Sequence, residues 1–208
     1  MASVSDPQAG LRGRISHLDD SALDLIFRTA RTHKAWQPRP VSDRDLRRLY
    51  EVFKFGPTSV NCNPARFVFV RSPEAKAKLI SALIESNVPK VKAAPVTAII
   101  GYDTRFFEHL PRLFPTTDAE RFRRDPAFAE QYAFRNATLQ GGYLIIAARA
   151  LGFDTGPMSG FDNAKVDAAF FAGTSIKSNF LCNIGYAEDT ALPPRPPRFE
   201  FDEVCTIV

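Results

Sequence analysis

LGFDTGPMSGFD, Leu151 to Asp162, is the stretch on which the reading of this chain turns. It sets three glycines, a proline and a methionine directly after a long apolar segment, and glycine is used where the backbone needs φ > 0 or a very close neighbour. Upstream, Phe134, Thr138, Gly141, Ile145 and Ala148 recur at alternating steps of four and three, and Tyr143, Leu144 and Leu151 widen the apolar face. This periodicity predicts a central helix with most of its circumference buried. Gly141-Gly142 within it costs about 1 kcal/mol per glycine relative to alanine, tolerable where another backbone packs close. Downstream follow a helix from Asn163 to Phe171, a strand from Asn179 to Tyr186, a proline-rich link and a strand-like DEVCTIV.

The same reading extends towards the N-terminus. RFVFV, Arg66 to Val70, is aromatic and β-branched, as is usual in strands, and APVTAIIGYD, Ala94 to Asp103, is a second strand. Ser72-Pro73 opens a helix between them, with proline in the first turn where its missing N–H is harmless. Ser42 and Asp45 form a capping box in front of the stripe Leu46, Leu49, Tyr50 and Phe53, which Gly56-Pro57 ends. An earlier helix begins near Ser21, with Leu23, Ile26, Phe27 and Ala30 on its apolar face. Residues 1–18 are polar and patternless and read as a loose arm, leaving 19–208 as one domain. Residues 104–126, rich in Arg, Phe and Pro, read as an excursion that forms a lid. Strands separated by helices without a regular βαβ beat predict an α+β sandwich.

Composition narrows the function classes. With 208 residues, 45% hydrophobic and 24% charged, the chain can fill one core. The net charge of +4 comes from cations mixed with anions, which argues against nucleic acid and suits a phosphorylated or carboxylate ligand. Cys62, Cys182 and Cys205 are odd in number and far apart, so neither a zinc site nor a redox dithiol is expected. No signal-type segment follows Met1 and no apolar run reaches the ~20 residues of a membrane span. A cytoplasmic protein with no membrane or metal partner is expected.

Four segments carry candidate chemistry. ARTHKAW places Arg31, Thr32, His33 and Lys34 at a helix end; they suit a phosphate, and on their own read better as a solvated terminus. GPTSVNCNPARF offers Thr58, Ser59, Asn61 and Asn63, residues common in turns. SNVPKVKAAP supplies Asn87, Lys90 and Lys92. GPMSG presents free amides at the start of a helix, a setting for anions or heterocycle acceptor atoms as much as for a plain turn.

The order and spacing of these segments, together with APVTAI and KSNFLCNIGY, resemble the FMN-dependent nitroreductase family over nearly the whole chain. The chain looks most similar to the malonic semialdehyde reductase branch of bacterial pyrimidine breakdown. The resemblance implies a three-layer sandwich with a central mixed sheet, a homodimer with a swapped C-terminal extension, and FMN at the dimer interface. It implies phosphate contacts from Arg31, Thr32 and His33, although the family often has Arg-Arg-Ser or Arg-His-Ser where this chain reads Ala30-Arg31-Thr32. Thr58, Ser59 and Asn61 match the loop that approaches the partner's flavin. Asn87 and Lys90 match residues at the pyrimidine edge, and Pro157, Met158, Ser159 and Gly160 match the turn whose amides face flavin N5 and O4. Arg195 matches an arginine on the phosphate; Pro193 stands roughly where the family has a lysine, with Arg198 as a substitute.

The implied reaction is hydride transfer from NADPH or NADH through FMN to a small acceptor, with no protein residue as catalyst. By resemblance the acceptor is 3-oxopropanoate, reduced to 3-hydroxypropanoate, its carboxylate met by Arg105, Arg112, Arg121, Arg123 or Arg124. The alternatives are a broad nitroaromatic or quinone reductase and a non-catalytic flavin-storage protein. Cys62 and Cys182 read as core thiols, Trp36 as packing and His109 as a surface histidine.

Overall fold

The computed structural model describes residues 17–188 and 192–208. The expected arm therefore lies outside the described residues except for His17 and Leu18. Helix α1 (Asp20–Leu23), capped by the Asp19 side chain, widens into a π turn over Asp24–Arg28. Helix α2 (Asp43–Phe53) starts at the predicted capping box, in which Ser42 and Asp45 each bond the other's backbone N–H, and buries Leu46, Leu49 and Phe53. Strand β1 (Ala65–Val70), α3 (Pro73–Ile80), α4 (Val88–Ala93) and β2 (Val96–Asp103) follow. After short helices α5 (Leu110–Leu113) and α6 (Glu120–Arg124) comes the long α7 (Pro126–Ala150). Strand β3 (Asp154–Met158), α8 (Asn163–Phe170), β4 (Ile176–Gly185) and a terminal α9 (Phe201–Val204) complete the order.

The sheet runs β1-β2-β4-β3 and is antiparallel at every pairing, which corrects the expected mixed sheet within this chain. Among the described residues its parallel contact is one bridge, Thr32 to Thr155. Side chains alternate across the sheet. Ala98, Ile100, Cys182 and Ile184 meet α2 and α7 on one face. Ile99 and Leu181 meet Leu79, Val91 and Val166 of α3, α4 and α8 on the other. Three layers result, because each strand of period two must bury both its faces. Gly141 lets α7 approach the sheet, since a Cβ there would sit 2.5 Å from the Phe180 ring, whereas Gly142 faces open space.

Three local expectations are corrected. Arg31–Lys34 is extended rather than a helix end, because His33 N–H donates to Thr155 O at 3.0 Å and ties the segment to β3. GPMSG is the end of edge strand β3 and the turn after it, not a helix start; α8 begins at Asn163. DEVCTIV does not form a strand: Glu200 and Glu203 cap one helical turn, and the residues after it are exposed and pair with no strand among the described residues. The 104–126 segment consists largely of short helices that sink Phe106, Leu110 and Phe122 against Ala129 and Ala133 of α7.

Candidate functional site

At the open end of β3 the structure gathers Asn87, Lys90 and Gly160. Asn87, buried at the N-terminal end of α4, donates through Nδ2 to Gly160 O at 3.0 Å and accepts from Lys90 Nζ at 2.8 Å. Ile84 N–H also donates to Gly160 O. A Cβ on Gly160 would lie 2.7 Å from Asn87 Nδ2 and collide with Ile84, so only glycine permits this approach. The amides of Ser159 and Gly160 donate to no acceptor among the described residues. Two adjacent unused N–H groups beside an ammonium form a concavity for acceptor atoms or partial negative charge.

A second group closes around the start of the extended 31–36 segment. Arg31 Nη2 donates to Pro193 O at 2.6 Å, and Arg195 Nη2 donates to Ala30 O at 2.8 Å. These reciprocal bonds bring together arginines more than 160 residues apart. Beside them lies a cleft of about 470 Å³ lined by Arg31, His33, Arg149, Asp154 and Leu192. His33 is buried, its Nε2 3.3 Å from Asp154 Oδ1, while its Nδ1 has no hydrogen-bond partner among the described residues. Arg149 Nη1 reaches Ile26 O, its Nε is buried without a partner among the described residues, and burial pulls its pKa down from the usual guanidinium value. An unmet buried donor costs about 1–3 kcal/mol, so this cleft is chemically suited to an anion or acceptor. Thr32 is exposed and contributes its backbone to the bridge with Thr155. Sequence reading missed Arg149 and Asp154; a lone cation in the last turn of an otherwise buried helix was the available signal.

The third group, Thr58 to Asn63, stands apart. It leads into β1, at the opposite edge of the sheet from β3, and no hydrogen bond joins it to the Asn87–Lys90 corner. Val60, Asn61 and Asn63 have φ of 46°, 48° and 41°, the positive-φ non-glycine residues among those described. Asparagine tolerates this region, but a β-branched valine there is an outlier, and such residues cost roughly 1–3 kcal/mol each. Buried amides of α7 hold the loop: Asn136 Oδ1 accepts Ser59 N–H at 2.8 Å, and Gln140 Oε1 accepts Ala65 N–H at 2.9 Å. Tyr132 and Ser59 hydroxyls are in contact, and Asn61 Nδ2 reaches Leu113 O at 3.0 Å. Neither Asn136 nor Gln140 was singled out from sequence, since polar residues on a predicted buried helix carry no visible partner.

Along β1 and α2 runs a groove of about 1140 Å³. Tyr50, Phe55, Phe67, Arg47, Arg66 and Arg112 line it. Among the five arginines of the 104–126 segment, Arg105, Arg123 and Arg124 pair with Glu108, Glu120 and Asp118, and Arg121 lies over the Phe122 ring. Arg112 has no such partner among the described residues and lines this groove. Burial pushes the Cys62 thiol up to about 11 and the Cys182 thiol to about 12, as expected of core cysteines. No cluster of His, Cys, Asp or Glu that would hold a metal occurs among the described residues, and no helix among them is long and apolar enough to cross a membrane.

Comparison with known proteins agrees with this architecture. A protein of Burkholderia lata named "Putative NADH dehydrogenase/NAD(P)H nitroreductase" is 63% identical over 191 residues, 91% of this chain and 98% of its own. A protein of the same name from Stenotrophomonas maltophilia is 60% identical over 93% of this chain and 100% of its own. A crystal structure from Exiguobacterium sibiricum, solved in complex with FMN, superposes with a TM-score of 0.77 at 20% identity, over 92% of this chain and 99% of that one. The model of the nitroreductase family matches residues 27–186, and the chain belongs to that family.

Proposed function

We propose that the chain is an NAD(P)H-dependent flavin oxidoreductase, active as a two-fold dimer with FMN at the interface, that reduces 3-oxopropanoate or a closely similar small carbonyl acid. The observation that carries the cofactor assignment is the corner at β3, where the unused amides of Ser159 and Gly160 stand beside Asn87 and Lys90. These groups suit the acceptor-rich edge of a flavin, and the Lys90 cation favours the negative charge that reduction places on the ring. Arg31, Arg195 and Arg149, around a cleft with unmet buried donors, suit a single phosphate. The fit is to FMN, since no GxGxxG fingerprint for a dinucleotide is present. When bound, FMN supplies hydride transfer between NAD(P)H and the acceptor. The protein's part is to bind, orient and tune it.

Exposed apolar surface supports the dimer: Leu25, Phe27, Phe134 and Leu139 are uncovered in one chain, as are Phe199, Phe201 and Ile207 of the tail. Among the described residues the outer edge of β1 is unpaired, and a tail of this composition on a second copy would cover it. Thr58, Ser59 and Asn61, at the far edge from the corner, then serve the partner's flavin. Arg112 is the cation assigned to the acceptor carboxylate, being the arginine of the 104–126 segment with no ion-pair or aromatic partner among the described residues.

A second reading, a nitroaromatic or quinone acceptor, draws on the names of the relatives and on the aromatic lining beside Arg112. A steady-state panel of 3-oxopropanoate, nitrofurans and quinones with NADPH and NADH decides between them. The expected result is highest kcat/KM for 3-oxopropanoate, with a large loss in Arg112→Leu for that acceptor alone. Equal loss for all acceptors would remove the carboxylate role. Acid release of FAD, or slow bleaching on rapid mixing with either nicotinamide, would overturn the enzyme assignment.

A further inference from the structure

The Thr58–Asn63 loop holds Val60 at a φ of 46°, which a β-branched residue disfavours, and buried amides of α7 bond the loop from outside it. Asn136 and Gln140 are one helical turn apart on α7, both nearly fully buried, and both spend their side chains on this loop or its exit. Gln140 bonds twice: Oε1 accepts from Ala65 N–H, and Nε2 donates to Asn63 Oδ1 at 3.1 Å. Asn63 Nδ2 in turn donates to Asn61 O and Oδ1, both at 2.7 Å, and Thr58 Oγ1 accepts Asn63 N–H. The line ends at Leu113 O, which accepts from Asn61 Nδ2. A continuous chain of amides thus runs from the buried face of α7 through Asn63 and Asn61 to the helix that carries Arg112. Its members include two of the three left-handed residues. Asn136 Oδ1 anchors the other end at Ser59 N–H, while its Nδ2 is closed on Tyr132 O.

We infer that Gln140 and Asn136 are positioning residues of the flavin site, acting through the left-handed Thr58–Asn63 loop on the cofactor that this loop meets. The inference rests on the proposed role of the loop at the partner's flavin. A buried amide that only filled space would be replaceable by a side chain of like volume. Here both polar ends of Gln140 are spent on the loop and its exit, and backbone torsions unfavourable for valine persist only while surrounding groups impose them. Releasing Asn63 frees Asn61, and with Asn61 the tie to the Arg112 helix.

The test is a thermodynamic cycle on FMN affinity. FMN dissociation constants are measured by flavin fluorescence for wild type, Asn61→Ala, Gln140→Met and the double variant, with apo-protein melting as a separate record. Each single variant is expected to bind FMN about tenfold more weakly, and the double variant to be no weaker than Asn61→Ala, because both act through one loop. A volume-matched loss of packing has no reason to couple to Asn61, so additive effects overturn the inference. An unchanged affinity in Gln140→Met with a weakened Asn61→Ala overturns it while leaving the loop's role intact. An unchanged affinity in Asn61→Ala overturns both. If Gln140→Met does not fold, Asn63→Gly gives the same readout from the loop side, and an unchanged FMN affinity there is equally fatal.

Discussion

The two edges of the sheet are finished in opposite ways. At the β3 edge the chain completes itself: the 31–36 segment bridges Thr155, Trp36 bridges Ala187, and glycines at 156 and 160 let neighbours reach the backbone. At the β1 edge the described residues leave a strand without an outer neighbour, a cationic and aromatic groove, and a loop with Val60 in a strained backbone region. One edge presents two unused amides beside the buried Asn87; the other presents cationic and aromatic surface that the described residues do not cover. Among the described residues no hydrogen bond joins the two edges, so the proposed dimer is the arrangement that would bring them into one ligand site.

The strongest way to break this comparison is to remove the tail. A chain ending before Phe199 is expected to elute as a monomer and to lose FMN, because the apolar tail would no longer cover the β1 edge. A shortened chain that stays dimeric on size-exclusion chromatography would show that the tail does not cover that edge. Next in size, Arg195→Ala is expected to weaken FMN binding by about 1.5–3 kcal/mol, the range for a hydrogen bond to a charged group. In a mixed dimer of Asn61→Ala and Arg195→Ala subunits, about half the flavin should bind normally if loop and phosphate cleft belong to different chains.

Within the β3 edge, Gly156→Val places a Cβ 2.6 Å from His33 O and against the Trp36 ring. Denaturant unfolding is expected to show a loss of about 1–3 kcal/mol, the cost of overpacking a filled site. Lys90→Met should leave the fold intact and lower the two-electron flavin potential by about 30 mV, equivalent to ~1.4 kcal/mol. An unchanged or raised potential would take Lys90 away from the ring. The smallest effect concerns the thiols. At pH 8 no more than Cys205 should react with a disulfide reagent in the native protein, because burial holds Cys62 and Cys182 protonated. Their folded pKa values are raised, so their contribution to stability is complete below the ordinary thiol value near 9 and is lost as pH rises towards 11–12. A pH series of urea midpoints checks the sign.

Much of this was legible in sequence because the signals are local. The Ser42–Asp45 box, Ser72-Pro73, the alternating strands and the bulk of α7 depend on residues within a turn or two of one another. Asn87 and Lys90 are three residues apart, so their meeting is also local. The errors came where a neighbour distant in sequence decides the conformation. Arg31–Lys34 follows a helix but pairs with Thr155, and GPMSG has helix-start chemistry but continues an edge strand held by β4. DEVCTIV has strand composition without a strand beside it in its own chain, so it takes a capped turn instead.

By itself the sequence determined the α+β class, the order of the main helices and strands, the core thiols and which segments carry candidate chemistry. Propensity, capping and periodicity act over a few residues and are written in the chain. Tertiary structure alone decided that Arg31 and Arg195 each bond a backbone carbonyl near the other, that Arg149 is buried beside His33, and that Asn136 and Gln140 bond into the 59–65 stretch. Each of these is a hydrogen bond, or a want of one, between groups 70 or more residues apart. Such a bond has no local signature, because any buried donor must find a partner and the chain's path alone decides which.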